Sequence, residues 1–143
     1  MIIPDVNVLM HAYRSASPLH AVAARFWSVA LNGDQAVALS WVVINGYVRL
    51  MTNPRVVAPA IHVAAAEHDV RSWLQRRNVV VVHPTEQHAD LYFGFLRSAG
   101  TAGNLTTDAH IAALAVEHDA EVVSADTDFA RFAGMRWTNP FAP

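Results

Sequence analysis

Four aspartates have the side chains and the positions best suited to chemistry in this sequence: Asp5, Asp108, Asp126 and Asp128. Asp5 ends a short aliphatic run, Ile2-Ile3-Pro4, that has the character of a buried strand. Asp126 and Asp128 follow a second such run at Glu121-Val122-Val123. In an open parallel α/β sheet the carboxyl ends of the strands share one edge, where ligands bind. We therefore expect these acids to meet at that edge.

Each of these acids also has a purely structural explanation. Asp5 could cap the helix that follows it, and Asp126 could start an Asx turn. Asp108 opens an alanine-rich helical stretch, where acidic residues are favoured by the helix dipole. The convergence of Asp5, Asp108 and Asp126 is harder to explain in this way, because neighbouring carboxylates cannot all ionise without raised pKa values.

A hard divalent cation would remove the repulsion between these carboxylates. Mg²⁺ takes one or two carboxylates, keeps several waters and leaves positions for phosphate oxygens. Asn7, Ser124 and Thr127 add further oxygen atoms beside the acids, and the chain contains no cysteine that could supply a thiolate. The predicted chemistry is phosphodiester hydrolysis by water that a metal ion activates.

Composition restricts the class of protein. At 143 residues, with 53% hydrophobic and 15% charged residues, the chain is predicted to form one globular domain spanning residues 1–143. No apolar run is long enough to span a bilayer, so we expect a cytoplasmic protein without a membrane partner. The net charge of −2 does not itself indicate nucleic-acid binding, although all ten basic residues are arginine.

The elements that must position the acids alternate along the chain. Predicted helices span about 7–13, 19–30, 41–51, 59–77, 85–98 and 108–117, with a helical turn at 128–132. Short strands are predicted up to Asp5 and at 36–39, 79–82, 121–123 and 135–137; the four valines from 79 to 82 suggest burial on both faces, and the last strand should lie at an edge. Ser40 is a plausible N-cap of the third helix. This alternation predicts an α/β fold with a parallel sheet and helices on both faces.

Three motifs and the closing segment resemble one protein family. The motifs are Asp5-Val6-Asn7, the run from Asp108 to Ala115, and Ser124-Ala125-Asp126-Thr127-Asp128-Phe129. In this order and spacing they resemble PIN-domain proteins, and especially the VapC-type toxin ribonucleases of bacterial toxin–antitoxin pairs. The segment from Phe132 to Pro140 is similar to a mycobacterial-type subgroup, and the likeness covers nearly the whole chain.

The resemblance implies a PIN-like three-layer fold with about five parallel strands. It also implies an endoribonuclease that depends on Mg²⁺ or Mn²⁺, RNA as the substrate and a cognate VapB-type antitoxin as the partner. The metal-ligand positions of the family fall on Asp5 and Asp108, with Asp126 as a further ligand and Asp128 as the remaining catalytic acid.

One position departs from the family pattern. The family usually carries a glutamate in the helix after the second strand, before an aromatic-x-Arg pair and a Thr-Asn-Pro-Arg stretch. Here Tyr47, Arg49 and the Thr52–Arg55 stretch match, which puts Gly46 at the glutamate position. A catalytically impaired PIN-fold binding module is therefore an alternative, and a Mg²⁺-dependent phosphohydrolase of another α/β family is a second one.

Candidate contacts to substrate lie near the same edge. The residues predicted to bind substrate are Asn7, Ser40, Arg49, Thr127 and Arg131. Aromatic side chains such as Trp41 and Tyr92 exceed what a core obviously needs, although core packing accounts for most of them. An exposed remainder would suit a homodimer face and a groove for an antitoxin helix.

Overall fold

The protein is a five-stranded parallel sheet with six α-helices, described by a computed structural model over residues 1–143. The strands are β1 (Ile2–Pro4), β2 (Val37–Leu39), β3 (Val79–Val81), β4 (Glu121–Val123) and β5 (Arg136–Thr138). The helices are α1 (Val6–Tyr13), α2 (His20–Asn32), α3 (Trp41–Met51), α4 (Val63–Leu74), α5 (His88–Ala99) and α6 (Thr106–Glu117), with 3₁₀ helices at Gly103–Leu105 and Thr127–Arg131. The predicted α/β class and the parallel sheet of about five strands are confirmed.

The strand order places β1 at the centre of the sheet. The order is β3-β2-β1-β4-β5, and every neighbouring pair is parallel. The chain crosses from β1 to β2 and β3 on one side, and then returns to β4 and β5 on the other. Pro4 is paired with Val123, so the residues that follow β1 and β4 emerge side by side at the carboxyl edge. This crossover brings residues near 5 and 124 together.

Buried aliphatic residues on the central strands and α6 form the core. Ile3, Val37 and Leu39 are fully buried, as expected for parallel strands covered on both faces. The segment from Ile111 to Ala115 is also fully buried, so α6 presents apolar side chains around most of its circumference. A helix enclosed in this way holds its first turn, which contains Asp108, in a fixed position against the sheet.

The prediction that the valines of β3 are buried on both faces was wrong. β3 pairs only with β2 and is therefore an edge strand, and Val80 is 43% exposed. The apolar run looks the same in the sequence at an edge as at the centre, because strand order is set by distant pairings. The opposite edge is β5, as predicted.

The fourth helix is shorter than predicted, and the third begins as predicted. α4 runs from Val63 to Leu74, whereas the segment from 52 to 62 is irregular and returns to the end of α3 through a hydrogen bond from Ile61 N to Met51 O. Ser40 caps α3, since its Oγ accepts a hydrogen bond from Val43 N. None of the helices combines the length and apolar character needed to cross a membrane.

Candidate metal centre and active site

Asp5 is a buried carboxylate whose two oxygens are both engaged. It is 5% exposed and is the N-cap of α1, with Oδ1 accepting from Val6 N at 2.7 Å. Oδ2 accepts from Ser124 Oγ at 2.7 Å and from Asn7 Nδ2 at 3.0 Å. Burial raises the pKa of Asp5 above its usual value, while these hydrogen bonds oppose the rise and the charge of Asp126 adds to it. The carboxylate is thus held in one orientation.

Ser124 connects the ends of β1 and β4. Its side chain is fully buried, donates to Asp5 and accepts from Asn7 Nδ2 at 2.9 Å and from Asp126 N at 2.9 Å. Trp137 on β5 donates from its indole nitrogen to Ser124 O at 3.0 Å. One hydroxyl therefore fixes the position of Asp5 and the backbone that carries Asp126.

Three acids have carboxylate oxygens close enough to share a cation. Asp108, Asp126 and Asp128 each offer an oxygen, and these oxygens lie within 4.8 Å of one another. Asp108 belongs to the first turn of α6, and Asp126 caps the 3₁₀ helix after β4 by accepting from Asp128 N at 2.8 Å. Asp5 lies beside this set, close enough for its charge to act on Asp108 and for that of Asp126 to act on it.

The pKa of Asp108 is raised by its burial and by the neighbouring carboxylates. Burial is the main cause that raises its pKa to about 7, followed by the negative charges of Asp126, Asp5 and Asp128. A hydrogen bond with Asp126 adds to the rise. The other three acids are therefore within electrostatic reach of Asp108. A divalent cation fits this donor set, since it would take the place of the proton and the acids supply only oxygen ligands.

The residues predicted to bind substrate have different positions. Thr127 and Arg131 are exposed beside the acids, and Arg131 lies 3.9 Å from Asp128 and donates to Ala99 O at 3.2 Å. Asn7 gives one N–H to Asp5 and one to Ser124, and its Oδ1 accepts from Ala125 N at 3.1 Å. The Asn7 side chain thus orients Asp5, Ser124 and the backbone at Ala125 through its hydrogen bonds.

Of the other two predicted contacts, Ser40 lies at the carboxyl end of β2, level with Asp5 on the adjacent strand β1, and Arg49 lies further along α3. Ser40 is 2% exposed and caps α3, which leaves its hydroxyl closed off from solvent. Arg49 is exposed in the last turn of α3, about 13 Å along the helix from Ser40 at 1.5 Å per residue. The structure therefore does not bring Arg49 to the carboxyl edge.

Gly46 faces α1 beside Asp5. It is buried, and a Cβ placed on it would lie 3.4 Å from Val6 Cγ2, which is ordinary van der Waals contact. The neighbouring Asn45 is exposed. A side chain at position 46 would thus start next to the residue that follows Asp5, and the contact is not so close that it excludes one.

A histidine pair that joins α5 to α6 was missed from the sequence. His88 Nδ1 lies 2.6 Å from Glu117 Oε2, and His88 Nε2 lies 2.9 Å from His110 Nδ1. Glu117 Oε1 also accepts from Thr85 N and Thr85 Oγ1. The seven-residue spacing of His110 and Glu117 puts both on one face of α6. That spacing was a usable signal, but the approach of His88 on α5 depends on helix packing.

Comparison with known proteins finds relatives over nearly the whole chain. Residues 2–135 match the PIN domain family. The chain is 41% identical over 140 residues to ribonuclease VapC33 of Mycobacterium tuberculosis, which covers 98% of both chains. It is 42% identical to ribonuclease VapC37 of the same organism, over 98% of this chain and 97% of the relative.

Solved structures share the fold. VapC20 of Mycobacterium tuberculosis, described as a sarcin–ricin loop cleaving toxin, superposes with a TM-score of 0.69 at 20% identity, covering 94% of this chain and 96% of that chain. A toxin–antitoxin complex from Klebsiella pneumoniae matches with a TM-score of 0.62 at 18% identity, covering 99% of this chain and 98% of that chain. At these identities the likeness concerns the fold.

Proposed function

Since this chain belongs to the PIN domain family and to its VapC ribonuclease branch, we propose that it is a metal-dependent endoribonuclease, the toxin of a toxin–antitoxin pair. The observation that carries the proposal is the acidic cluster at the carboxyl edge. Three carboxylates within 4.8 Å, one with its pKa raised to about 7, are costly to the folded chain unless a cation offsets their charge.

Asp108, Asp126 and Asp128 would hold Mg²⁺ or Mn²⁺, with Asp5 beside them. The bound ion would supply Lewis acidity toward a phosphodiester oxygen and lower the pKa of the attacking water. Ser124 and Asn7 orient the Asp5 carboxylate through their hydrogen bonds to Oδ2. Arg131 lies exposed at the rim, where its guanidinium can contact a phosphate.

Cleavage of RNA by the purified protein tests this proposal. End-labelled single-stranded RNA is incubated with the protein in Mg²⁺, in Mn²⁺ and in EDTA. We expect cleavage that needs the metal and that Asp108→Asn removes. A preparation that leaves RNA intact in both metals, while binding them, would favour the catalytically impaired module suggested by Gly46. Transfer of a labelled phosphoryl group from a small ester to an aspartate would favour the phosphohydrolase alternative.

We also propose a VapB-type antitoxin as the protein partner. An apolar groove of about 410 Å³ lies between α3 and α4, lined by Trp41, Ile44, Val48, Val63, Val70 and Leu74, with Glu67 and Arg71 beside them. Trp41 is 57% exposed and Val63 70% exposed, which suits the apolar face of a helix. Co-purification with the product of the adjacent reading frame tests this partner, and light scattering of the free protein tests the proposed homodimer.

A further inference from the structure

We propose that a cleft at the first turn of α6, the turn that carries Asp108, holds a nucleobase of the RNA strand, next to the phosphodiester that is cut. The inference rests on the proposed ribonuclease function. The cleft has a volume of about 530 Å³ and is lined by Val42, His88, Tyr92, Thr106, Thr107 and His110. This volume lies within the range of small-molecule sites, about 300–1,000 Å³.

The cleft is lined in part by the first turn of α6, which also carries Asp108. Thr106 and Thr107 directly precede Asp108 in α6, and His110 lies four and three residues beyond them, so these three side chains share a face. Val42 contributes from the first turn of α3, which starts at the carboxyl end of β2. A strand whose phosphate sits at Asp108 would thus bring an adjoining nucleotide to the cleft.

The rings that line the cleft are held rigidly. The His88 side chain is 16% exposed and lies between Glu117 and His110, with hydrogen-bond distances of 2.6 and 2.9 Å. Tyr92 stacks on His88 with centroids 6.0 Å apart and an angle of 16° between the rings.

The residues that line the cleft suit a nucleobase better than they suit a phosphate. No arginine or lysine lines the cleft, and the His88 side chain is already engaged by Glu117 and His110. Aromatic rings offer faces for stacking, and two threonine hydroxyls offer both donors and acceptors for a base edge or a 2′-hydroxyl. Single-stranded RNA is commonly recognised by stacking of splayed bases on Tyr and His side chains. A neutral, planar, hydrogen-bonding group is therefore the ligand that this cleft fits.

Tyr92→Ala tests the cleft, with Phe93→Ala as the matched control. Phe93 is the next residue of α5 and is 55% exposed, and its ring packs edge-on against that of Tyr92 with centroids 5.0 Å apart. It does not line the cleft, so it controls for the loss of a neighbouring aromatic ring. Binding of fluorescein-labelled single-stranded RNA is measured in EDTA, where the strand stays intact. Cleavage of an RNA pool and of bis(p-nitrophenyl) phosphate, a diester without a base, is measured in Mn²⁺.

We expect Tyr92→Ala to weaken RNA binding and lower kcat/KM for RNA about tenfold, or 1.4 kcal/mol. It should relax the base preference at one position beside the cut and leave hydrolysis of the base-free diester unchanged. Phe93→Ala should match the wild type in all assays. Unchanged RNA binding and an unchanged cleavage profile in Tyr92→Ala would overturn the cleft while leaving the ribonuclease proposal intact.

Two further outcomes separate the cleft from the wider proposal. Equal loss on the base-free diester would assign Tyr92 a structural role and overturn the cleft. If the wild type cuts no RNA, the ribonuclease proposal fails. RNA binding in EDTA by the wild type and Tyr92→Ala then still tests whether the cleft binds a nucleobase. Weaker antitoxin binding with unchanged RNA binding in Tyr92→Ala would also overturn it, since the cleft would then serve the antitoxin.

Discussion

Ser124 Oγ donates a 2.7 Å hydrogen bond to Asp5 Oδ2 across 119 residues of sequence, and this contact joins the carboxyl ends of β1 and β4. Because the same hydroxyl accepts from the backbone of Asp126, it couples the placement of a buried carboxylate to that of the acidic cluster. The hydrogen bond also lowers the pKa of Asp5 against the opposing effect of burial. The site is thus organised by a neutral residue as much as by its acids.

Ser124→Ala should disturb this arrangement without removing any charge. The Asp5 carboxylate loses a donor in a buried position, so we expect a loss of about 1–3 kcal/mol in the free energy of unfolding. The pKa of Asp5 should rise further. Urea unfolding measures the first effect and NMR titration the second. Ser98→Ala on the exposed side of α5 is the control and should match the wild type. Equal stability of both variants would mean that Ser124 is not the organising contact.

Asp5→Asn should abolish most RNA cleavage and preserve the fold. We expect a fall in kcat/KM of about 100-fold, which corresponds to about 2.7 kcal/mol of barrier. The amide keeps the shape of the carboxylate and removes a buried charge, so the melting temperature in EDTA should hold or rise. Asp90→Asn, an exposed aspartate on α5, is the matched control. Wild-type cleavage by Asp5→Asn in limiting Mg²⁺ would place the essential acids elsewhere.

The raised pKa of Asp108 predicts a pH dependence of stability. The folded pKa of about 7 lies above the ordinary 3.8, so between these pH values the folded chain binds more protons than the unfolded chain. The metal-free protein should therefore lose stability as pH rises from about 4 to about 7. Asp108→Asn should flatten this decline, as followed by thermal melting in EDTA.

Divalent ions should act against that decline. Because the ion competes with the proton at the same carboxylates, Mg²⁺ or Mn²⁺ should raise the melting temperature more at pH 8 than at pH 5. The same comparison with Asp108→Asn should show a smaller gain at pH 8. A gain in the wild type that is independent of pH would argue against a cation at the acidic cluster.

Gly46→Glu tests the departure from the family pattern. The Cβ has room at 3.4 Å from Val6, and glutamate exceeds glycine in helix propensity by up to about 1 kcal/mol. We expect tighter Mg²⁺ or Mn²⁺ binding and a rise in cleavage of about tenfold, or 1.4 kcal/mol of barrier. Isothermal titration calorimetry and RNA cleavage measure the two effects.

Two controls separate charge from volume in that experiment. Gly46→Gln adds the same bulk without the charge, and Gly94→Glu adds the charge in α5, where nothing lies within 4 Å of a Cβ. Neither should tighten metal binding. Unfolding of both variants at position 46 would show that Gly46 serves close packing of α3 on α1, and equal activity of wild type and Gly46→Glu would show that the site needs no glutamate.

Local sequence determined the elements and the acids. Apolar runs and capping residues placed β4 at 121–123 and α3 behind Ser40, because strand periodicity and N-cap chemistry act over a few residues. The spacing of Asp126 and Asp128 also indicated their turn, since Asp126 accepts from the backbone two residues later. Each of these features is determined by residues within the element concerned or directly next to it.

Tertiary structure decided which of these residues meet. Four valines in β3 read as a central strand, but its single neighbour makes it an edge. Asp128 joins Asp108 and Asp126 while Arg49 is carried away along α3, because helix direction and crossover connections set those distances. The contact of His88 with His110 arises from the packing of α5 on α6. Contacts of this kind depend on the arrangement of whole elements, which no local stretch of sequence specifies.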